Sequence, residues 1–214
     1  LGAPGSGKGT QSLLLTDNLK IPNISTGEIL RTEVANNSDI GILAKNHMQS
    51  GGLVPDLIVV DIIKKRISEP DCNKGFILDG FPRNIMQAQI LDAMLSALNK
   101  KIDLVVDIEV NEDTLIKRIA GRFMCNNCNI SYNHFFSPTK VEGLCDKCGE
   151  ASLKSRSDDN EDAVRNRLLI YNQNNKKLVE FYRKKSLIYS VDGLKNIATI
   201  SFDINKAVNV VLNN

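Results

Sequence analysis

Four things are missing from this chain, and each absence excludes a class of protein. Apolar runs such as Leu57 to Val60 and Leu104 to Val106 are far too short to span a bilayer, which argues against a membrane protein. Lys plus Arg number 27 against 25 Asp plus Glu, so a net charge of +2 makes the whole chain no electrostatic trap for nucleic acid. No charged-then-apolar leader of the secretory kind is present, and the cytoplasm is the expected location. There is neither an internal repeat nor a low-complexity tract. What remains is 214 residues, 42% hydrophobic and 24% charged, ample for one sizeable core with one or two small insertions.

The most informative segment comes first. Gly2-Ala3-Pro4-Gly5-Ser6-Gly7-Lys8-Gly9-Thr10 is glycine-rich and runs straight into a helix. Such glycines let the backbone curl with its amides pointing inward, and the helix adds its positive end, so the loop forms a concave polyphosphate site. Lys8 supplies a mobile charge for terminal phosphates. The general P-loop pattern wants Ser or Thr directly after the lysine; here Gly9 stands there and the hydroxyl follows at Thr10. Gly-Lys-Gly-Thr-Gln is the form seen in nucleoside monophosphate kinases, and an ordinary glycine-rich turn is the competing reading. Only Leu1 precedes the loop, so a short apolar strand is expected upstream.

Along the chain, strands and helices alternate. Gln11–Leu19 is expected to be a helix packing Leu13, Leu14, Leu15 and Leu19 on a sheet. Ser25 or Thr26 can cap the next helix, and the stretch to Ser50, interrupted at Asn36–Asp39, reads as a small helical flap rather than core. Asp56–Ile67 is a strongly apolar helix, Gly75–Gly80 a buried parallel strand, and a further helix runs to about Leu98. Ile102–Val110 is the next strand and Glu112–Ala120 the next helix. Asp158 or Asp159 caps a long helix to about Lys185, and Leu187–Val191 is a last strand. In the tail, Ile-Ala-Thr-Ile-Ser-Phe alternates like a strand, but Ile197, Ile200, Ile204, Val208 and Val211 fit a helical stripe better. The pattern predicts an α/β fold, a P-loop NTPase-type parallel sheet with helices on both faces.

Cys125-x2-Cys128 and Cys145-x2-Cys148 stand sixteen residues apart. Each knuckle presents two sulfurs and a tetrahedral ion needs four, so the spacing points to a closed, structural metal site. The intervening segment reads as a small β-rich ribbon too poor in apolar mass to fold unaided. A pair of disulfides is the alternative, disfavoured by compartment. Cys72 is left over, and burial as a small hydrophobe accounts for it.

Arginines cluster where loops leave elements: Arg31, Arg83, Arg118, Arg122, Arg156 and Arg167. Planar guanidiniums that bond two oxygens at once suit a site where two phosphate chains meet. Arg165 is read as a solvated surface charge.

These segments resemble adenylate kinase, in that family's order and across essentially the whole chain: LGAPGSGKGT (1–10), ISTGEIL (24–30), GFILDGFPR (75–83), RIAGR (118–122) and RSDDNEDAVRNR (156–167). The four-cysteine insert resembles the zinc-bearing lid of the family's long form. The resemblance implies a core of residues 1–24, 55–121 and 156–214, an AMP-binding flap at 25–54 and a zinc-type lid at 122–155. It implies that Gly5, Ser6, Gly7, Lys8, Gly9 and Thr10 grip ATP, helped by Arg122, Ser131, Tyr132 and Lys195. It places Thr26, Arg31, Gly52, Leu53, Val54, Gly80, Phe81, Pro82, Arg83 and Gln87 on AMP, although Gly52 stands where the family usually has lysine. Asp79, with Thr10, would order the magnesium shell. Lys8, Arg83, Arg118, Arg122, Arg156 and Arg167 would clamp the transferring phosphoryl group, Arg156 and Arg167 touching AMP as well. Cys125, Cys128, Cys145 and Cys148 would hold structural Zn2+.

The expected activity is therefore reversible in-line transfer from MgATP to AMP, giving two ADP. Orientation and charge stabilisation carry such chemistry without a protein nucleophile. Only two histidines exist, His47 and His134, and surface positions account for both. Flap and ribbon are expected to close and exclude water, with Gly121 and Ser155–Asp159 as lid hinges. ATP, AMP and ADP are the expected partners, with no nucleic acid and no membrane, and a monomer is the expected state. The rivals are a kinase for another nucleoside monophosphate, a GTP-using AMP kinase, and a zinc-ribbon nucleic-acid binder with a vestigial pocket.

Overall fold

The computed structural model describes residues 1–156 and 158–213. A helix begins directly at the loop, α1 (Lys8–Leu19), followed by β1 (Asn23–Ser25), α2 (Thr26–Ala35), α3 (Asp39–Gln49), α4 (Asp56–Ile67), β2 (Ile77–Asp79) and α5 (Ile85–Ala97). Then come β3 (Val105–Glu109), α6 (Glu112–Ala120), a small three-stranded sheet of β4 (Arg122–Cys125), β5 (Ser131–Asn133) and β6 (Leu153–Lys154), α7 (Glu161–Arg183), β7 (Ile188–Asp192) and α8 (Ile197–Leu212).

The core strands are all parallel, as the alternating pattern predicts. β1 pairs with β2, Ser25 opposite Asp79, and β3 pairs with β7, Val105 opposite Ile188. Gly2 bridges Ile108 in parallel and Leu1 accepts the Ile108 amide at 3.2 Å, which brings the glycine loop to the end of β3. Ile77, Leu78 and Asp79 are half-buried rather than fully buried as expected, and they line the same cavity as Val105 and Ile108 of β3. The insert is antiparallel, in the order β5-β4-β6.

Side-chain caps set several helix starts. Asn84, Asn111, Asn160 and Asn196 accept the amides of Gln87, Thr114, Ala163 and Thr199, and Ser38 accepts that of Gly41. The long helix is thus capped by Asn160, not by Asp158 or Asp159, because those two carboxylates turn inward to arginines. Ser25 sits at the cap position of α2 without a side-chain capping bond. α1 also departs from expectation, since Leu13 is exposed while Gln11 and Ser12 are buried. The tail is helical: Ile200, Ile204 and Val208 are buried against Ile108 and Val191.

The flap is less detached than its composition suggests. Leu30, Ala44 and Val54 belong to the same buried cluster as Val59, Ile63 and Leu91. The ribbon, by contrast, has its own small cluster of Phe123, Cys125, Tyr132 and Cys145. No helix among the described residues is long and apolar enough to cross a membrane.

Candidate active site

The glycine loop has the curl that its sequence demands. Gly7 sits at φ +100° just before α1, and Gly5 at φ +81°, where a Cβ would lie 2.8 Å from Ile119 Cγ1. Ser6 is buried and its amide bonds to the Ala3 carbonyl at 3.1 Å. The Lys8 ammonium folds back on the loop, donating to the Gly2 and Ala3 carbonyls at 2.7 and 2.8 Å. Burial pushes Lys8 down to about 8, against the opposing pull of Asp79. Asp79 ends β2 beside the loop: a Cβ on Gly9 would lie 3.7 Å from its Oδ2, and Ser25 donates to that oxygen at 3.4 Å.

A single cavity of about 1640 Å³ takes in most of the expected residues. It is lined by the loop from Gly5 to Thr10, by Arg31, Leu53 and Asp79–Arg83, and by Arg118, Arg122, Ser131, Tyr132, Arg156, Arg167 and Lys195. Thr26, Gly52, Val54 and Gln87 are not on its wall. Thr26 is buried and donates to the Gly80 carbonyl at 3.0 Å, pinning the turn that carries Arg83. Val54 points into the core while Leu53 faces the cavity. Gln87 is engaged at both ends, accepting the Arg83 amide at 2.7 Å and donating to Asp56. Facing a base would require exchanging Asp56. Lys195 lies at the edge with its ammonium on Asp203 at 2.9 Å.

The arginines converge and are only partly neutralised. Arg122 forms a two-point pair with Asp159, its Nε at 2.7 Å. Arg167 pairs with Asp158 and lies 3.6 Å from Asp159, and Arg31 approaches Asp158 at 3.8 Å. Burial alone would raise the Asp158 carboxyl, but Arg167 and Arg31 outweigh it and hold the carboxyl below its ordinary value. Among the described residues Arg156 bonds no carboxylate; its Nε rests on Met124 Sδ at 3.3 Å. Burial, then the like charges of Arg122 and Arg31, lower it to about 10. Arg118 donates to the Gly193 carbonyl at 2.8 Å and stacks over the Phe136 ring at 5.4 Å. A cavity walled by crowded, partly desolvated cations is an anion site.

Asp158 and Asp159 escaped the sequence reading because an acid near a helix start reads as a cap. Their alternation with Arg156 and Arg167 was the available signal. Asn133 was also missed: its amide donates to the Arg118 carbonyl at 2.6 Å, and its Oδ1 accepts from Phe135 and Phe136 at 2.9 and 3.2 Å.

In the lid the four cysteine sulfurs lie within 4.8 Å of one another. Cys125 and Cys148 approach to 3.5 Å and Cys128 and Cys145 to 3.4 Å, and none of the four is in a disulfide in this structure. Zinc–sulfur bonds of about 2.3 Å in a tetrahedron separate the sulfurs by about 3.8 Å, so this square fits a zinc-sized ion with little movement. The Tyr132 hydroxyl lies 3.3 Å from Cys145 Sγ, and this hydrogen bond pulls the Cys145 thiol down to about 6, toward the thiolate a metal requires.

Comparison with known proteins agrees with this geometry. The adenylate kinase family model matches residues 1–187. The chain is 46% identical over 207 residues to an adenylate kinase of Methanocella arvoryzae, covering 97% of this chain and 95% of the relative. It is 45% identical over 208 residues to one from Enterococcus faecalis, covering 97% and 96%. It is 49% identical over 197 residues to one from Archaeoglobus fulgidus, covering 92% and 90%. Loop, guanidinium wall and cysteine insert thus share one explanation: this chain is a phosphotransferase belonging to the adenylate kinase family.

Proposed function

We propose that the protein transfers the terminal phosphoryl group of MgATP to AMP, reversibly and in line, giving two ADP. The observation carrying this reading is the convergence of Arg31, Arg83, Arg118, Arg122, Arg156 and Arg167 with Lys8 on one cavity. Two carboxylates, Asp158 and Asp159, offset only part of that charge, and a pair of phosphate chains supplies the rest.

The loop amides of Gly5 to Thr10 hold the donor triphosphate, and Lys8 exchanges the Gly2 and Ala3 carbonyls for phosphate oxygens. Magnesium arrives with ATP and spreads the charge of its phosphates; Asp79 and Thr10 stand where they hold its water shell. On the acceptor side Arg31 and Arg83 clamp the AMP phosphate, Thr26 supports the Gly80 turn, and Gln87 with Gly52–Val54 borders the base. Arg118, Arg122, Arg156 and Arg167 stabilise charge on the moving phosphoryl group, and no side chain needs to attack it. His47 and His134 are both exposed, and neither lines the cavity.

Residues 25–54 act as the AMP flap and 122–155 as the lid, closing on a core of 1–24, 55–121 and 156–214. Gly121 and Ser155–Asp159 serve as hinges; Ser157 and Asn214 lie outside the described residues. Cys125, Cys128, Cys145 and Cys148 hold a structural Zn2+ that stiffens the lid. The enzyme works as a cytoplasmic monomer, without nucleic acid.

The decisive assay compares ADP formation from ATP plus AMP with that from ATP alone. Rapid ADP formation requiring both nucleotides is the expected result. Turnover of UMP or CMP above AMP, or GTP preferred as donor, overturns the assignment of substrates, and tight salt-sensitive RNA binding without kinase activity overturns the reaction itself.

A further inference from the structure

Tyr132 was expected beside the nucleotide, yet its hydroxyl is committed elsewhere. The phenolic oxygen accepts the Asp146 amide at 2.9 Å, and the same hydroxyl lies 3.3 Å from Cys145 Sγ. With one lone pair taken by an amide, the phenolic proton is free for sulfur, and a metal-bound thiolate can only accept. The ring is buried, stacks on Phe123 at 5.6 Å between centroids, and pairs with it across β4 and β5.

The next residue on β5 reaches the transfer site. Asn133 donates to the Arg118 carbonyl at 2.6 Å and holds the amide of Phe136, whose ring lies beneath the Arg118 guanidinium at 5.4 Å. On the partner strand, Arg122 begins β4 opposite Asn133. The square and the two arginines of the RIAGR segment are therefore joined through one short strand pair.

Resting on the reading of the square as a zinc site, we propose that Tyr132 is a positioning residue: its O–H···S bond to Cys145 ties the metal square to β5 and thereby to Arg118 and Arg122. The bond has two consequences. It steadies a ligand sulfur, as outer partners of metal ligands do, and it makes alignment of the triphosphate side depend on metal occupancy. On the monophosphate side, Arg31 of α2 and Arg83 of the Gly80 turn bond none of these residues, while Arg156 and Arg167 reach β4 only through Met124 and through the Asp159 partner of Arg122, so the tether acts on that side less.

The test is Tyr132→Phe in the full-length enzyme, which removes one oxygen and keeps the stacked ring. Zinc affinity is measured by competition with a colorimetric chelator, and KM is determined separately for ATP and AMP. Zinc affinity should fall about 10–100-fold, and the ATP KM should rise several-fold, with a clearly smaller rise in the AMP KM. His134→Ala is the control: His134 also packs on Phe123, at 4.4 Å, and is not among the cysteine ligands. Its zinc affinity should match wild type. Unaltered zinc affinity in Tyr132→Phe, an unchanged ATP KM, equal rises in both KM values, or the same zinc loss in His134→Ala overturns the proposal. If the wild type itself binds no zinc, the metal reading falls and takes the tether with it; if the wild type binds zinc and Tyr132→Phe binds it equally, the tether alone falls.

Discussion

The proposed flap, residues 25–54, and the proposed lid, residues 122–155, border the same cavity and are held together by different physics. The flap's inner face, Leu30, Ala44 and Val54, is continuous with the largest buried cluster, so apolar burial against α4 and α5 stabilises it. The lid shares no such cluster with the core. Its interior is Phe123, Tyr132 and the cysteines, and it meets the core through polar contacts: Asn133 to Arg118, His134 to Gly121 and Arg122 to Asp159. A small insertion with little apolar mass needs a staple, and four sulfurs within 4.8 Å of one another could hold one. The difference teaches that the flap answers to the core's stability, whereas the lid answers to charge and, on the proposed zinc reading, to metal.

The largest expected effect tests whether the two sides meet in chemistry. Arg83→Ala should reduce kcat/KM by about 100-fold or more, as loss of a charge-stabilising donor does, while circular dichroism and the melting curve stay unchanged. Kinetics equal to wild type would remove Arg83 from the clamp.

Next come two perturbations that set flap against lid. Leu30→Ala, at 5% exposure, should cost about 2–5 kcal/mol of global stability in denaturant titrations. A loss confined to the flap, with the core transition unmoved, would break the contrast. Zinc chelation or Cys128→Ser should instead raise proteolytic cleavage within residues 122–155 by about tenfold or more, since structural zinc supplies about 10 kcal/mol to such modules. The main melting transition should move little. A metal-free protein with an unaltered lid would remove the staple.

The smallest effect sharpens the comparison at the loop. Lys8 is lowered to about 8 by burial, and a bound triphosphate draws its pKa upward, so binding takes up protons around pH 8. ATP affinity should therefore weaken as pH rises through about 8, whereas AMP affinity, which does not use Lys8, should stay flat there. The slope is read from nucleotide titrations at several pH values, and parallel slopes for both nucleotides would contradict the assignment.

Much of this was legible because it is local. Gly5 and Gly7 declare a backbone that only glycine adopts without strain, and two Cys-x2-Cys knuckles declare four ligands whatever the rest does. The tail's stripe of Ile200, Ile204 and Val208 named a buried helical face before any partner was known. The misreadings share one cause, a choice between near and distant partners. Asp158 and Asp159 could cap the helix beginning at Glu161 or pair with arginines, Arg31 and Arg122 from two distant segments and Arg167 from that helix itself, and charge won over capping. Contacts such as Tyr132 with a sulfur 13 positions away and Gln87 with Asp56 were likewise invisible in the spacing, though neither removes the residue from its expected place beside a nucleotide.

By itself, then, the sequence determined the phosphate loop, the thiol square, the alternating α/β order and the family, because each rests on spacing within a few residues or on segment order. The tertiary structure alone decided which carboxylate quiets which guanidinium, how deeply residues 25–54 root in the core, and that the Tyr132 hydroxyl meets the Cys145 sulfur. Those outcomes are settled by desolvation and charge among groups far apart in the chain, and spacing along a sequence carries no record of them.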